Sequence, residues 1–222
     1  MPISYVNSNS AVGKSVQLTG VTAGHLIVCM LQWADAATTP TLSDGSSSFS
    51  YATVKVSSSE RIIIAYCLSS VASGTVTYTW TSVGGGGYTS HVFEVSSGSG
   101  FALDTIDAIG SGSTGYIATS GNETSIEASM VAFGAAGYYV NLLYVSGTIG
   151  GVAVDHATSQ IENSYGDLGV LTMRVLNNPG TYNSVINGES GYSTVWVADL
   201  IAFREIASGG GFLNRNYFWG NF

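Results

Sequence analysis

The chain has 222 residues and a formal net charge of −8, with only 9% of its residues charged and 29 glycines against 3 prolines. Six lysines and arginines are scattered along it, whereas nucleic acids and anionic membranes are bound through clustered cations. We therefore predict no nucleic-acid partner and no membrane partner. With so few charges, solubility must depend on hydroxyl groups and backbone.

Apolar residues recur with a period of two rather than 3.6, which predicts strands and no helix longer than one turn. β-Branched and aromatic residues, which favour strands, dominate the chain. Pro40 and Asp44-Gly45 mark turns, so residues 34–50 are predicted to form a loop. The predicted strands, in chain order, are residues 3–8, 15–19, 25–33, 51–56, 61–68, 74–80, 89–95, 116–119, 124–133, 138–145, 152–156, 158–162, 168–176, 181–187 and 194–206.

The last of these strands, residues 194–206, is apolar on both faces. One face carries Val195, Val197, Ile201 and Phe203, and the other carries Trp196, Ala198, Leu200 and Ala202. A strand of this kind is covered on both sides. Residues 74–80 alternate instead, with Val76, Tyr78 and Trp80 inward and threonines outward, which predicts one solvated face.

The two halves of the chain repeat the same order of strand-like segments. The matched segments begin at Val16 and Ile117, Leu26 and Ser129, Arg61 and Leu168, Gly74 and Gly180, and His91 and Val195. Short strands separated by frequent turns indicate a sandwich. The repeated order indicates either two related halves or the regular spacing of a β meander. We predict an all-β, antiparallel, jelly-roll-like sandwich of residues 1–207, with halves at about 1–110 and 111–207 packed into one body, followed by a tail at 208–222.

The tail is the strongest candidate for partner binding. Gly209, Gly210 and Gly211 form a flexible link before a cluster of large apolar side chains. Aromatic clusters of this kind anchor protein interfaces. The candidate partner-binding residues are Phe212, Leu213, Tyr217, Phe218, Trp219 and Phe222. The tail either docks on a neighbouring subunit or folds back on its own domain.

A second candidate site would bind carbohydrate. Aromatic rings exposed near loops would stack on sugar rings while Asn and Asp side chains bind hydroxyls. The candidate glycan-stacking residues are Trp33, Trp80, Tyr88 and Tyr192.

Signals for catalysis and metal binding are weak, and we predict no enzyme, cofactor or metal. Gly13-Lys14-Ser15 resembles the end of a phosphate-binding loop, but a strand follows it instead of the required helix. His25 and His91 lack a partner at zinc-ligand spacing. Asp104 with Asp107, and Asp155 with His156, could contribute to a calcium site or be solvated turn residues.

Both cysteines, Cys29 and Cys67, lie within apolar runs. They are interpreted as buried thiols, or as a bridge between neighbouring strands if their Cα atoms approach within about 7 Å. The first eight residues lack a basic region and an apolar core, so we predict no signal peptide and synthesis in a host cytoplasm.

Val16-Gln-Leu-Thr-Gly-Val-Thr-Ala-Gly24, the strand start at Gly74-Thr75 and the segment from Val195 to Phe203 carry a resemblance. In these features the chain resembles jelly-roll-like β-sandwich proteins of phage particles, in capsid decoration or tails. The resemblance covers most of the chain and transfers no catalytic residue. It implies a homo-oligomer that contacts other virion proteins.

Two functions follow as expectations. The first is a non-enzymatic structural protein of a virion, held in its assembly by subunit contacts and the C-terminal aromatic anchor. The second is a carbohydrate-binding or adhesin module that uses the loop aromatics.

Overall fold

A computed structural model describes residues 2–34, 38–52, 54–57, 60–81, 83–84, 86–105, 110–112, 115–139, 143–162, 166–189 and 194–206. Over these ranges the chain forms antiparallel strands and no helix, which confirms the predicted all-β sandwich. The candidate tail residues from Phe212 to Phe222 lie outside the described residues, as does Tyr192.

The N-terminal half contains nine strands in two sheets. They are β1 (Ser4–Val12), β2 (Ser15–Val21), β3 (Leu26–Ala34), β4 (Thr41–Ser43), β5 (Ser50–Tyr51), β6 (Lys55–Ser57), β7 (Glu60–Cys67), β8 (Gly74–Thr81) and β9 (Gly86–Ser96). The large sheet has the order β1-β9-β3-β7-β5, with β6 also paired to β7, and the small sheet has the order β2-β8-β4.

The C-terminal half contains twelve strands. They are β10 (Phe101–Thr105), β11 (Gly110–Gly112), β12 (Ile117–Thr119), β13 (Glu123–Ser125), β14 (Met130–Tyr138), β15 (Tyr144–Ile149), β16 (Val152–Ala153), β17 (His156–Ile161), β18 (Leu168–Leu176), β19 (Gly180–Tyr182), β20 (Ser184–Gly188) and β21 (Trp196–Glu205). The large sheet has the order β10-β21-β14-β18-β17, with β11 also on β21. The small sheet has the order β12-β20-β15-β16, and β13 pairs with β19.

The two halves share one topology. In each large sheet the last long strand, β9 or β21, lies between the first strand of the half and a fully buried central strand, β3 or β14. The next neighbour is β7 or β18. In each small sheet β8 or β20 lies between its neighbours in the same way. In each half the chain passes between the large and the small sheet, and sheets with these strand orders form a jelly roll.

Apart from the two-stranded β13–β19 pair, the sheets stack as four layers, with the two large sheets facing each other in the middle. The central core contains side chains of both halves, including Val28, Ile64 and Phe93 from the first and Phe133 and Phe203 from the second. A second core lies between the large and small sheets of the N-terminal half, and two smaller cores lie outside the large sheet of the C-terminal half. Each half is therefore a sandwich, and the two sandwiches are joined through their large sheets at a surface that we call the junction.

The N-terminal sandwich is also closed along one side by asparagine side chains. Asn7 Nδ2 on β1 donates a hydrogen bond to the Thr19 carbonyl at 2.9 Å, and Asn9 Nδ2 donates to the Gln17 carbonyl at 2.7 Å. These residues link the edge of the large sheet to the edge strand β2 of the small sheet.

Several predicted boundaries were wrong. The predicted loop at 34–50 contains β4, and the predicted strand at 124–133 is two strands, β13 and the start of β14. The strand predicted at 138–145 spans the end of β14 and the start of β15. By contrast, β18 matches its predicted range, and β21 is buried on both faces as expected.

The junction should depend strongly on Phe133. Its ring meets Phe93 of the first half at 5.8 Å and Phe203 at 6.0 Å between centroids, and it is fully buried. Phe133→Ala should lower the free energy of unfolding by about 3–5 kcal/mol, because it removes buried area and leaves a cavity. Urea titration followed by circular dichroism measures this. Ile126→Ala, at an 84% exposed side chain, is the control and should change stability by less than about 0.5 kcal/mol.

Candidate functional site

The candidate glycan-stacking residues do not form a surface site in the described structure. Trp33 is 0% exposed and Trp80 is 1% exposed, both inside the core of the N-terminal sandwich. The expectation that these two rings are exposed was wrong, because both point between the sheets. Tyr88 packs partly buried against the same core, and the Lys14 ammonium lies 4.5 Å from its ring centroid.

Lys14 of the phosphate-loop candidate and Asp155 of the calcium candidate each have a local hydrogen-bond partner. Lys14 donates a hydrogen bond to the Val83 carbonyl at 2.9 Å and begins no helix, so this loop does not have the form of a phosphate site. Asp155 Oδ2 accepts from the Val175 amide at 2.7 Å, and Asp107 lies outside the described residues. Over the described ranges, no group of three or more His, Cys, Asp or Glu side chains is placed to hold a metal ion.

Cys29 and Cys67 are free, buried thiols. They lie on neighbouring strands but not opposite each other, since Cys29 pairs with Ala65 and Cys67 pairs with Ile27. Burial raises the pKa of the Cys29 thiol, which disfavours the nucleophilic thiolate. No described helix has the length and apolar character needed to cross a bilayer.

The outer face of the N-terminal small sheet is an uncharged array of hydroxyl and amide groups. Ser15 Oγ donates to Thr79 Oγ1 at 3.1 Å, and Thr41 shares a hydrogen bond with Thr81 at 2.7 Å. We call this surface the hydroxyl face. Its residues are Ser15, Gln17, Thr19, Thr41, Ser43, Thr75, Thr77, Thr79 and Thr81.

The outer surface of the C-terminal small sheet is different in character. Ile117 on β12 is 43% exposed, Val145 on β15 is 62% exposed and Val152 on β16 is 52% exposed. Val185 on β20 lies partly buried beside them in the sheet. Val152 pairs with the buried Ile149 and so lies on the inner side of the sheet. Asn187 Nδ2 donates to Ser146 Oγ at 3.0 Å, and both residues lie in register with Ile117 on the outer side. We call Ile117, Val145 and Val185 the apolar face. One sandwich thus presents hydroxyls on its outer sheet, and the other presents exposed aliphatic side chains among polar ones.

A group of polar side chains is buried in the junction, which sequence reasoning missed. Glu60 Oε2 accepts from Gln32 Nε2 at 2.7 Å, and Gln32 Oε1 accepts from Thr89 Oγ1 at 3.0 Å. His91 contacts Thr89 at 3.3 Å through Nε2 and Thr158 at 3.0 Å through Nδ1. We call Gln32, Glu60, Thr89, His91, Thr158 and the neighbouring Asp167 the polar seam.

Glycines of the second half make room for the polar seam. A Cβ atom on Gly169 would lie 2.0 Å from Thr89 Oγ1 and 2.8 Å from His91 Nε2. A Cβ on Gly137 would lie 2.9 Å from Ile62 Cγ2 and 3.0 Å from Gln32 Cγ. In the sequence these two glycines look like ordinary strand residues. Their role, which is to leave space for side chains of the first half, can be recognised only from the packing of the two halves.

Burial perturbs the titratable groups of the seam. Burial first, and then the Asp167 carboxylate, raise the pKa of Glu60 to about 9, against smaller opposing effects of Gln32 and Arg61. Burial and then Glu162 raise the pKa of Asp167 to about 6. Burial lowers the pKa of His91 to about 3. At neutral pH the seam therefore contains a protonated Glu60 and a neutral His91.

No family model, no curated protein and no solved structure matches this chain.

His91 should make the protein less stable in acid. Its pKa is lowered from 6.5 to about 3, so the unfolded chain binds a proton below pH 6.5 that the folded chain rejects. Stability is then lost as pH falls from 6.5, by about 1.4 kcal/mol per pH unit from this group. We expect His91→Gln to remove that part of the slope, measured by urea titration between pH 6.5 and about 4. Equal slopes for the two proteins would contradict the assignment.

Proposed function

We propose that this protein is a non-enzymatic structural component of a virion, as a capsid decoration protein or a tail component, and that it works as a homo-oligomer. The observation that carries the proposal is the fusion of two jelly-roll sandwiches through their large sheets. This construction leaves the small sheets as the two broad outer faces. A rigid, layered body of this kind suits a protein whose task is to fill space and contact neighbours.

Exposed aliphatic side chains, found on the C-terminal small sheet and not on the hydroxyl face, support a sided arrangement within the assembly. Exposed aliphatic side chains favour burial against a partner, whereas hydroxyls that bond to one another are stable in water. In the proposed arrangement the apolar face contacts a neighbouring subunit and the hydroxyl face remains solvated.

The aromatic tail is the proposed occupant of the apolar face. Residues 207–222 follow β21, and an extended chain of that length spans on the order of 50 Å. Four sheets stacked about 10 Å apart give roughly 30 Å between the outer layers. The tail is therefore long enough to reach the apolar face of its own protomer or of a neighbour, and we propose the neighbour.

Deleting the tail tests the proposal directly. The full chain should elute as a multiple of its 23.0 kDa mass, and a chain ending at Ser208 should elute as a folded monomer. Light scattering coupled to size-exclusion chromatography measures the mass. Changing Asn214 and Asn216 to serine is the matched control, because it alters the tail without removing an aromatic ring. A truncated chain with unchanged mass would overturn the role of the tail.

Changes on the apolar face should weaken the same assembly. Val145→Thr and Ile117→Thr keep β-branched side chains but add a hydroxyl, so the strands should form while the face loses apolar area. We expect the dissociation constant of the oligomer, from analytical ultracentrifugation, to rise at least tenfold in the double variant. Thr77→Ser on the hydroxyl face is the control and should leave it unchanged. If the double variant assembles like the unsubstituted protein, the apolar face is not the contact between subunits.

A further inference from the structure

Two buried carboxyl groups of the polar seam, Glu60 and Asp167, lie across the junction from each other. Glu60 begins β7 in the first half, and Asp167 directly precedes β18 in the second. Gln32 lies between them. Its Nε2 donates to Glu60 Oε2 at 2.7 Å, and its amide is close enough to lower the pKa of Asp167, although no hydrogen bond joins these two side chains. The two carboxyl groups therefore occupy one polar site to which both sandwiches contribute.

The strand register gives the same placement. Gly137 on β14 pairs with Gly169 on β18, and a Cβ atom on Gly137 would lie 3.5 Å from Glu60 Oε2. Asp167 is two residues before Gly169, so it faces the same side of the sheet, toward the junction. The packing of the strands thus brings the two carboxyl groups together, whatever their protonation states.

This site is closed to solvent and contains several unpaired oxygen atoms. Glu60 and Asp167 are both 0% exposed. Glu60 Oε1 and both Oδ1 and Oδ2 of Asp167 are buried and have no hydrogen-bond partner among the described residues. Buried polar atoms of native proteins are almost always paired with protein groups, water or ions. Three unpaired carboxyl oxygens in one place therefore indicate that a ligand belongs there.

The negative charge of the site is not balanced by the side chains around it. Burial and then Asp167 raise the pKa of Glu60, and burial and then Glu162 raise the pKa of Asp167. Arg61 lowers the pKa of Glu60, but by less than burial and Asp167 raise it. A proton neutralises one charge of such a pair, whereas a divalent cation neutralises two and binds several oxygen atoms at once.

We propose that the polar seam holds a calcium ion between Glu60 of one sandwich and Asp167 of the other. The free ligand atoms are all oxygens, which suit a hard cation, whereas zinc and copper favour nitrogen and sulfur. Both ring nitrogens of His91 already contact hydroxyl groups, those of Thr89 and Thr158. Calcium is favoured over magnesium because Mg²⁺ retains several water molecules, which a site closed to solvent does not accommodate.

The amide of Gln32 supplies a further oxygen ligand. Rotating this amide by half a turn directs Oε1 toward the ion and Nε2 toward Thr89 Oγ1, which accepts that hydrogen bond while donating its own hydrogen to His91 Nε2. Two carboxylates, one amide oxygen and water then provide the roughly six to eight oxygen ligands typical of calcium. Such a site needs no third acidic or histidine ligand, and none is placed to complete one in the described part of the chain.

The ion joins the two sandwiches, because its ligands come from both. It binds the folded junction and not the unfolded chain, so it stabilises the fold by mass action. This role is independent of the tail and of the apolar face, so it can be tested separately from the assembly of subunits.

The first test uses the unsubstituted protein. After treatment with EDTA and desalting, equilibrium dialysis should show one calcium ion bound per chain. Calcium at a hundred times its dissociation constant should raise the melting temperature, followed by circular dichroism, by about 5–10 °C. The same concentration of magnesium should raise it less, and sodium at matched ionic strength should not raise it. Absence of bound calcium, or an unchanged melting temperature, would overturn the proposal and is the result expected if the two carboxyl groups share one proton.

Substitutions then separate this site from the exposed carboxylates. Glu60→Gln and Asp167→Asn preserve the size of the side chain and remove a charged ligand. Each should weaken calcium binding at least about tenfold, since the loss of even an outer partner of a metal site commonly costs that much. Glu189→Gln, at an exposed acidic residue, is the matched control and should leave binding unchanged. Calcium binding that persists undiminished in both seam variants would place the ion elsewhere and overturn the proposal.

Discussion

Burial of both faces of the large sheets is the constraint from which the architecture follows. Every residue of β3 and of β14 is buried, so each of these strands needs a sheet on either side. Each half covers one face of its large sheet with its own small sheet. The other face can be covered only by the large sheet of the other half, and a sandwich on its own would expose an apolar surface of the size that promotes aggregation.

The polar seam limits how the two large sheets can be aligned. Thr89 and His91 fit over Gly169, whereas the next inward-facing residue of β18 is Leu171. Sliding the sheets by two residues would press the polar groups onto a leucine side chain and leave them without their partners. Apolar contacts alone would tolerate such a shift more easily, since they are not directional. The polar seam therefore fixes the register of the two large sheets, and the central core provides most of the free energy that holds them together.

The sequence predicted a strand well where the hydrophobic pattern of that strand alone shows a period of two or a long apolar run. β18 and β21 are long apolar runs, and β8 alternates between threonine and large apolar residues, so their period is readable without knowledge of their neighbours. The interruption between β13 and β14 was missed because residues 126–129 contain no proline or glycine to mark a turn. Four of the five paired segments lie in strands at equivalent positions of the two sandwiches. The fifth does not, because Gly74 begins β8 whereas Gly180 begins β19, which pairs with β13 outside the small sheet.

The candidate site residues were harder to predict, because their burial and their contacts depend on how the sheets and the two halves pack. Trp80 alternates with Val76 and Tyr78, and that pattern already favoured burial over sugar stacking. The roles of Glu60 and Gly169 arise only when residues of the two halves, far apart in the sequence, are brought together, so no local pattern contains them. The aromatic tail and Tyr192 stay predictions, because they lie outside the described residues.

The asparagines of β1 have a consequence for how copies of this protein can meet. An edge strand normally offers backbone carbonyls on which a foreign strand can extend the sheet. On β2 two of those carbonyls, at Gln17 and Thr19, already accept hydrogen bonds from Asn9 and Asn7 of the same chain. A strand added along β2 could not use these two carbonyls, so this margin is a poor place for one copy to extend the sheet of another.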